Sequence, residues 1–380
     1  MSLRILLVDA RVLTPDRDGG SARMCSLVRI FQQLDCSVSF VPSFPDSFPP
    51  FDDTLAADTR RMAELGIEMP APGTGADAHL ERHGGRYDVI LLTGTFVASR
   101  HLASARRFAP QATIVFDTID LHFLREYRGA KLTGNIPRLQ AALTIKRVEL
   151  AVARSADFTI VVSDREQQIL REQDPPVTSW VIPFALDIRQ GPGPDTRRDL
   201  VYLGAFSFDP NVDAMQFFVE QVFPRIERRI AGVTLHIAGS DPTPDVMKLQ
   251  SRSVTVTGHV QALDECFNAR RIFVAPLRYG AGLKGKVLLS MAHGLPVVAS
   301  PIAAEGLPAE PGRDILIADE PADWEAQVVR LYEDTSLWMT LSAGGRTLVE
   351  KTYTFDVVRR QVAALVNAIE GRRHLSGTTA

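Results

Sequence analysis

The stretch "RIFVAPLRYGAGLKGKVLLSMAHGLPVVAS", residues 271–300, decides how the chain reads. "RIFVAPL" is a short apolar run of the kind that forms a fully buried strand. A glycine-rich turn follows, with Gly280, Gly282 and Gly285 set around Lys284 and Lys286. "KVLLSMAHG" has helical spacing: Val287, Leu288, Met291 and Ala292 fall on one side, and Lys286, Leu289, Ser290 and His293 on the other. "PVVAS" is again a short β-branched run. Strand, helix and strand in that order make a βαβ unit, the building block of a parallel sheet.

The same alternation extends in both directions. "RILLVDA" precedes "SARMCSLVRIFQQL", where Met24, Leu27, Val28 and Phe31 recur at helical spacing. "SVSFVP", "YDVILLT", "ATIVFDT" and "FTIVVS" read as further buried strands. The stretch "RQGPGPDTRRD" is rich in Pro, Gly and charge and loses both periods, which predicts a linker over 189–199. The pattern then restarts with "DLVYLGA", the helix "NVDAMQFFVEQVFPRIERRI", and the strands "VTLHIAGS" and "SVTVTGHV". The fold class is therefore α/β, with two Rossmann-like parallel-sheet domains over 1–188 and 200–355. A last amphipathic helix over 356–374 is expected to pack back toward the first domain.

Composition limits the function classes. The 380 residues carry 45% apolar and 23% charged side chains and a net charge of −3, so no broad attraction to nucleic acid is expected. Cys25, Cys36 and Cys266 form no CxxC pair and read as reduced thiols. No run is long enough for a transmembrane helix, and the N-terminus lacks a cleavable leader pattern. A cytoplasmic protein is the expectation, with peripheral membrane contact left open. No metal-ligand spacing occurs, so metal independence is expected too.

In open parallel sheets ligands sit beyond the carboxyl ends of the strands. The 280–285 turn can direct backbone N–H groups to one point, and the following helix adds its positive end. With Lys284 and Lys286 this suits a diphosphate. Read by itself, it equally fits a flexible loop with two solvated lysines.

"GAGLKGKVLLSMAHGLPVVASPIAAEGL" resembles the donor segment of the GT-B glycosyltransferases, in particular the retaining family 4 (glycosyl transferases group 1). "VYLGAFSFDPNVDAMQFF", "LHIAGSDP", "VTVTGHV", "LVDARVLTPDRDGGSARM", "FDTIDLHFLREYR" and "ADFTIVVSDREQQIL" resemble its other segments, in consistent order. The resemblance implies two domains facing across a cleft and a nucleotide-diphosphate sugar as co-substrate, with no resident cofactor. The acceptor would be a small molecule, glycan or lipid. Gly19 and Gly20 would approach donor or acceptor, although "DGG" is also a common turn. His122, among Asp117, Asp120 and Arg125, matches a histidine near the donor sugar; Arg125 and Glu126 also fit a surface pair. Donor contacts would come from Gly204, Asn211, Gly280, Ala281, Gly282, Leu283, Lys284, Gly285, Lys286, Leu289 and Glu305. Ser163 and Glu166 fit a capping box.

Two departures stand out. Relatives carry an Arg and a Lys near "GAFSFDPN", where this chain has neither, which shifts phosphate binding toward Lys284 and Lys286. The family's paired glutamates align with Ala281 and Leu289. Leu289 cannot accept a ribose hydroxyl, a loss of roughly 1.5–3 kcal/mol; Glu305 or a backbone carbonyl would have to substitute. The implied reaction is front-face transfer with retention, with Lys286 steadying the leaving diphosphate and His122 holding a sugar hydroxyl. Three other readings stay open: a catalytically silent GT-B protein that binds a sugar nucleotide or acts as a partner subunit, a nucleotide-sugar epimerase, and an oxidoreductase, although the first strand lacks GxGxxG. The segment "PSFPDSFPPFDDTLAADTRRMAELG" reads either as part of an acceptor pocket or as a Pro-rich connection.

Overall fold

The computed structural model describes residues 2–44, 60–70, 74–174 and 176–377, with side chains to 374. Most of the Pro-rich segment just named lies outside the described residues. The chain divides into two compact units. The first comprises residues 1–15, 20–184 and 355–380; the second comprises 16–19 and 185–354.

The first unit holds a six-stranded parallel sheet in the order β2-β1-β3-β4-β5-β6. Its strands are β1 (Arg4–Asp9), β2 (Ser37–Pro42), β3 (Val89–Thr93), β4 (Thr113–Asp117), β5 (Phe158–Val161) and β6 (Ser179–Val181). β3, β4 and β5 are buried at every residue, which is why they read as unbroken apolar runs rather than alternating ones. Register pairs Leu7 with Leu91 and Leu91 with Val115 across the centre. Leu6, Ile90 and Phe116 pack with Val97 and Ala98 of the helix Thr95–Phe108 and with Val152 of the helix Ile136–Ser155.

The closing helix Phe355–Gly377 is part of this unit. Val358, Val362, Leu365 and Ile369 form its buried stripe. Arg372 donates to Asp157 (2.7 Å) and Arg373 to Asp88 (2.6 Å), fixing its far end.

The second unit's sheet runs β12-β11-β10-β7-β8-β9, also wholly parallel. Its strands are β7 (Arg198–Leu203), β8 (Leu235–Ala238), β9 (Val254–Gly258), β10 (Arg270–Ala275), β11 (Val297–Ala299) and β12 (Leu316–Ile317). The sequence order reverses between β7 and β10, so the crevice beyond their carboxyl ends is this unit's topological switch point.

Three local findings refine the sequence reading. The unit boundary falls at 184/185, and the stretch expected as a linker is built into the second unit. Arg197 explains this: it is fully buried and donates to the carbonyls of Pro192, Phe267, Arg270 and His293. The long helix expected after β7 is interrupted. It runs Asp209–Phe217, widens to a π-helical turn over Phe218–Val222, and resumes as Phe223–Arg229. Pro224 can neither donate to the preceding turn nor tolerate a normal α register there, and the wider turn relieves both demands. The helix Gly285–Ala292 has no solvated polar side, because Ser290 and His293 are both buried.

Candidate functional site

At the carboxyl end of β7, by the switch point, Tyr202, Asn211 and Lys286 form a linked polar cluster. β7 ends at Leu203, so Gly204 begins the loop over the switch point. A methyl group on Gly204 would stand 3.0 Å from both Asn211 and the Lys286 ammonium. Gly239, at the end of β8, has φ +144, and a side chain there would strike the Gly204 carbonyl at 1.7 Å. The two loops can meet only because both positions lack side chains.

Lys286 lies in the first turn of the helix Gly285–Ala292. Its Nζ donates to the Tyr202 hydroxyl (2.7 Å) and to Asn211 Oδ1 (2.6 Å), and stands 4.4 Å from the Tyr202 ring centroid. The Tyr202 hydroxyl donates to the same Asn211 oxygen at 2.7 Å. Asn211 in turn donates from Nδ2 to the Ala205 carbonyl (2.6 Å). All of these partners are neutral. Burial, and then nearby Lys284, push the Lys286 ammonium down to about 7.

Lys284 does something different. It is buried, and its Nζ donates to the carbonyls of Ala281 (2.9 Å) and Gly282 (2.5 Å). It therefore shapes the turn from within, helped by Gly280 at φ +155 and Gly282 at φ +70. Ala281 and Leu283 are buried in the same turn, while Gly285 opens the helix.

Leu289 is half-buried one turn further on. Its carbonyl accepts from His293 Nδ1 (2.7 Å), and His293 Nε2 pairs with Asp264 at 2.8 Å. His293 thus ties the helix to a neighbouring segment. Glu305 is half-buried and follows the short helix Pro301–Ala304. Gly19 falls within the 16–19 segment of this unit, where the Arg17 carbonyl accepts from Ser240 Oγ (2.8 Å) and Asp16 pairs with His259 (3.3 Å).

The first unit holds the other candidates. Gly20 lies in the opening turn of the helix Gly19–Gln33. His122 starts the helix His122–Thr133, just beyond β4. Asp117 closes β4, fully buried, and accepts from Arg23 at 2.7 Å. Its other oxygen accepts from the Ile119 N–H (3.0 Å), holding this β-branched residue at φ +63, where such side chains are strained. The His122 imidazole is half-buried, 3.8 Å from Glu126, and burial followed by Arg125 holds it below its ordinary value. Arg125 pairs with Asp120 and with Glu126.

Two further residues gave no local signal in the sequence. Glu149, 27 residues beyond His122, is buried and accepts from the Thr95 hydroxyl (2.5 Å), the His122 N–H (3.1 Å) and the Phe123 N–H (3.0 Å). Burial pushes its carboxyl up to about 7, against the pull of those donors. Tyr202 looked like one more apolar strand residue until the fold set its hydroxyl against Lys286. Ser163 does cap its helix, accepting from Glu166 N–H at 3.2 Å. The Glu166 carboxylate also accepts from the Leu121 N–H (2.8 Å), and so steadies the loop before His122.

Among the described residues no group of three or more His, Cys, Asp or Glu could hold a metal ion, and no helix is long and apolar enough to cross a membrane. A surface hollow of about 660 Å³ beside Arg229, Glu325 and Arg330 contains none of the residues above.

Residues 197–334 match the family model described as Glycosyl transferases group 1. No curated protein matches the chain in sequence. Among solved structures, the chain is similar to sucrose-phosphate synthase from Thermosynechococcus elongatus over 97% of its own length and 100% of the other's, with TM-score 0.74 and 16% identity. HepE from Anabaena, in complex with UDP and glucose, matches with TM-score 0.69 and 15% identity over 96% and 100% of the two chains. The pneumococcal O-GlcNAc transferase GtfA, in complex with UDP and GlcNAc, matches with TM-score 0.67 and 11% identity over 97% and 99%. Identities this low speak for the fold. The chain has the GT-B glycosyltransferase fold, and within it residues 197–334 are similar to the glycosyl transferases group 1.

Proposed function

We propose that the protein is a glycosyltransferase that moves a sugar from a nucleoside-diphosphate donor to an acceptor hydroxyl, with retention of anomeric configuration. The observation that carries this reading is Lys286. An ammonium held by two neutral oxygens, with no carboxylate partner among the described residues, stands at the switch point of a parallel sheet. Two of its three N–H donors are used, leaving the third for a ligand. The first N–H groups of its helix have no intrahelical acceptor and add the positive end of the dipole. That arrangement fits the diphosphate of a departing nucleotide, whose negative charge grows as the glycosidic bond breaks.

In this reading Lys284 supports the turn that presents the backbone N–H groups. Gly204 and Asn211 bound the same space. His122 would hold a sugar hydroxyl, steadied by the bonds from its backbone and that of Phe123 to Glu149. The protein supplies position and charge, and no side chain is assigned as a covalent nucleophile. HepE and GtfA, each solved with UDP and a sugar, support a nucleoside-diphosphate donor.

The test is release of nucleoside diphosphate from a panel of UDP-, GDP- and ADP-sugars, with product anomers read by NMR. Turnover of one donor with retention is expected. Absence of both turnover and nucleoside-diphosphate binding across the panel would remove the reading.

A further inference from the structure

We propose that the hairpin formed by the helices His122–Thr133 and Ile136–Ser155 is a docking surface for an anionic lipid bilayer. Three independent features of the first unit converge on it.

The first is apolar exposure. Leu132 (40%), Ile136 (67%), Leu143 (46%), Tyr127 (39%) and Val148 (37%) all lie on these two helices and are five of the nine exposed large apolar side chains among the described residues. Ile136 and Leu143 are seven residues apart, which puts them on one side of their helix. With Leu132 just before the turn between the helices they form one group, the kind of exposure that marks a contact surface, whereas Val148, turned about 140° from Leu143, lies off it.

The second is charge. The two helices hold seven Lys and Arg against two Glu, and with Asp120 paired to Arg125 and Asp174 to Arg154 a net of +3 remains in a chain of net −3. Neither glutamate faces a partner from outside: Glu149 is buried, and Glu126 is bonded to Arg138 and Arg125. Lys131 and Arg147 are exposed beside the apolar residues, and Lys131 stands 5.8 Å from the Tyr127 ring centroid.

The third is shape. Every residue from 131 to 137 is exposed, around a turn closed by Gly134 in the left-handed region and Asn135 capping the next helix. A seven-residue exposed turn cannot by itself supply the roughly 1,600 Å² of a stable protein interface. It can sink two apolar side chains below a layer of lipid head groups while basic neighbours meet the negative surface.

The experiment is flotation of the full chain with phosphatidylcholine vesicles, with and without an equal share of phosphatidylglycerol. Binding is expected only to the mixed vesicles and should weaken as salt rises. Leu132→Asp with Ile136→Asp should cut the partition at least about tenfold, and Lys131→Ala and Arg147→Ala about fivefold each. Met339→Asp, at an exposed apolar residue of the second unit, should leave it unchanged. All of these sites are exposed, so folding is not at issue. Absence of binding to mixed vesicles overturns the proposal, as does binding that survives the double aspartate variant. A concentration-dependent dimer dissolved by that variant, with no vesicle binding, would reassign the surface to a second copy of the chain.

Discussion

Beyond the carboxyl ends of its strands each unit holds a titratable group largely shielded from water, half-buried Lys286 in the second and buried Glu149 in the first, and the two are of opposite kind. In the second unit Lys286 faces acceptors, Tyr202 and Asn211; in the first, Glu149 faces donors, Thr95 and the N–H groups of His122 and Phe123. Burial pushes both toward neutrality, Lys286 down and Glu149 up, each to about 7. The difference lies in how complete their hydrogen bonding is. Glu149 is met by three donors and links the starts of two helices, as a structural clasp does. Lys286 retains a donor and lacks a counter-charge, as a binding group does. Burying a charge without its counter-ion is costly, and a fold bears that cost where a ligand supplies the missing partner.

Replacing Lys286 is the sharpest way to break the contrast. Lys286→Met removes a charge-assisted contact to a diphosphate worth about 1.5–3 kcal/mol, or roughly one to two decades of affinity. It also removes a half-buried charge, and the Tyr202 hydroxyl still donates to Asn211. Calorimetry with UDP, GDP and ADP should show the loss for whichever binds the wild type, while the melting temperature stays level or rises. A variant that melts lower and binds normally would make Lys286 the clasp instead.

Glu149 should behave the other way round. Glu149→Ala orphans three buried donors and should cost about 1–3 kcal/mol in denaturant unfolding. Glu149→Gln keeps an acceptor oxygen and should cost less. An alanine variant as stable as the wild type would mean those donors find other partners.

The same contrast explains what the sequence could reveal. Lys286 sits two residues from Lys284 and near three glycines, so the expectation of an anion site arises within ten residues, while the Tyr202 and Asn211 that hold its ammonium lie far from it in sequence. Five strands of each sheet were legible too, most of them as unbroken apolar runs, while the short edge strands β6 and β12 carried no such run. Glu149 was not legible. Nothing around it in "KRVELAVARS" separates it from a surface glutamate, and its role exists only once the fold brings Thr95 and His122 to it. Nor could the two lysines be told apart, since Lys284 turns inward to its own loop through a backbone path set by Gly280 and Gly282. Arg197 misled for a related reason. A Pro/Gly-rich, charged stretch looks like a linker until one of its charges is seen buried against four carbonyls.

A smaller effect would extend the comparison along the Lys286 helix. Leu289 is half-buried at the position where the resemblance expects a ribose-binding carboxylate. Leu289→Glu should tighten binding of the preferred nucleoside diphosphate by about tenfold, the gain from one charge-assisted hydrogen bond. Unchanged or weaker binding would put the ribose elsewhere.

The pH dependence of binding tests the smallest effect and the assignment most directly. Free Lys286 titrates near 7, and an adjacent diphosphate must raise that value. Below this point the ammonium is charged in both the free and the bound protein, and the full attraction is present. Above it the free lysine has lost its proton and must take one up to bind, so affinity falls as pH rises. From about pH 7 to about pH 8 the fall should be roughly fivefold. Calorimetry in two buffers of different ionisation enthalpy would count the proton taken up. Lys286→Met should flatten both the pH profile and the proton uptake, because the group responsible is gone. A profile that persists in that variant would assign the titration to another residue and leave Lys286 without its role as the second unit's anion contact.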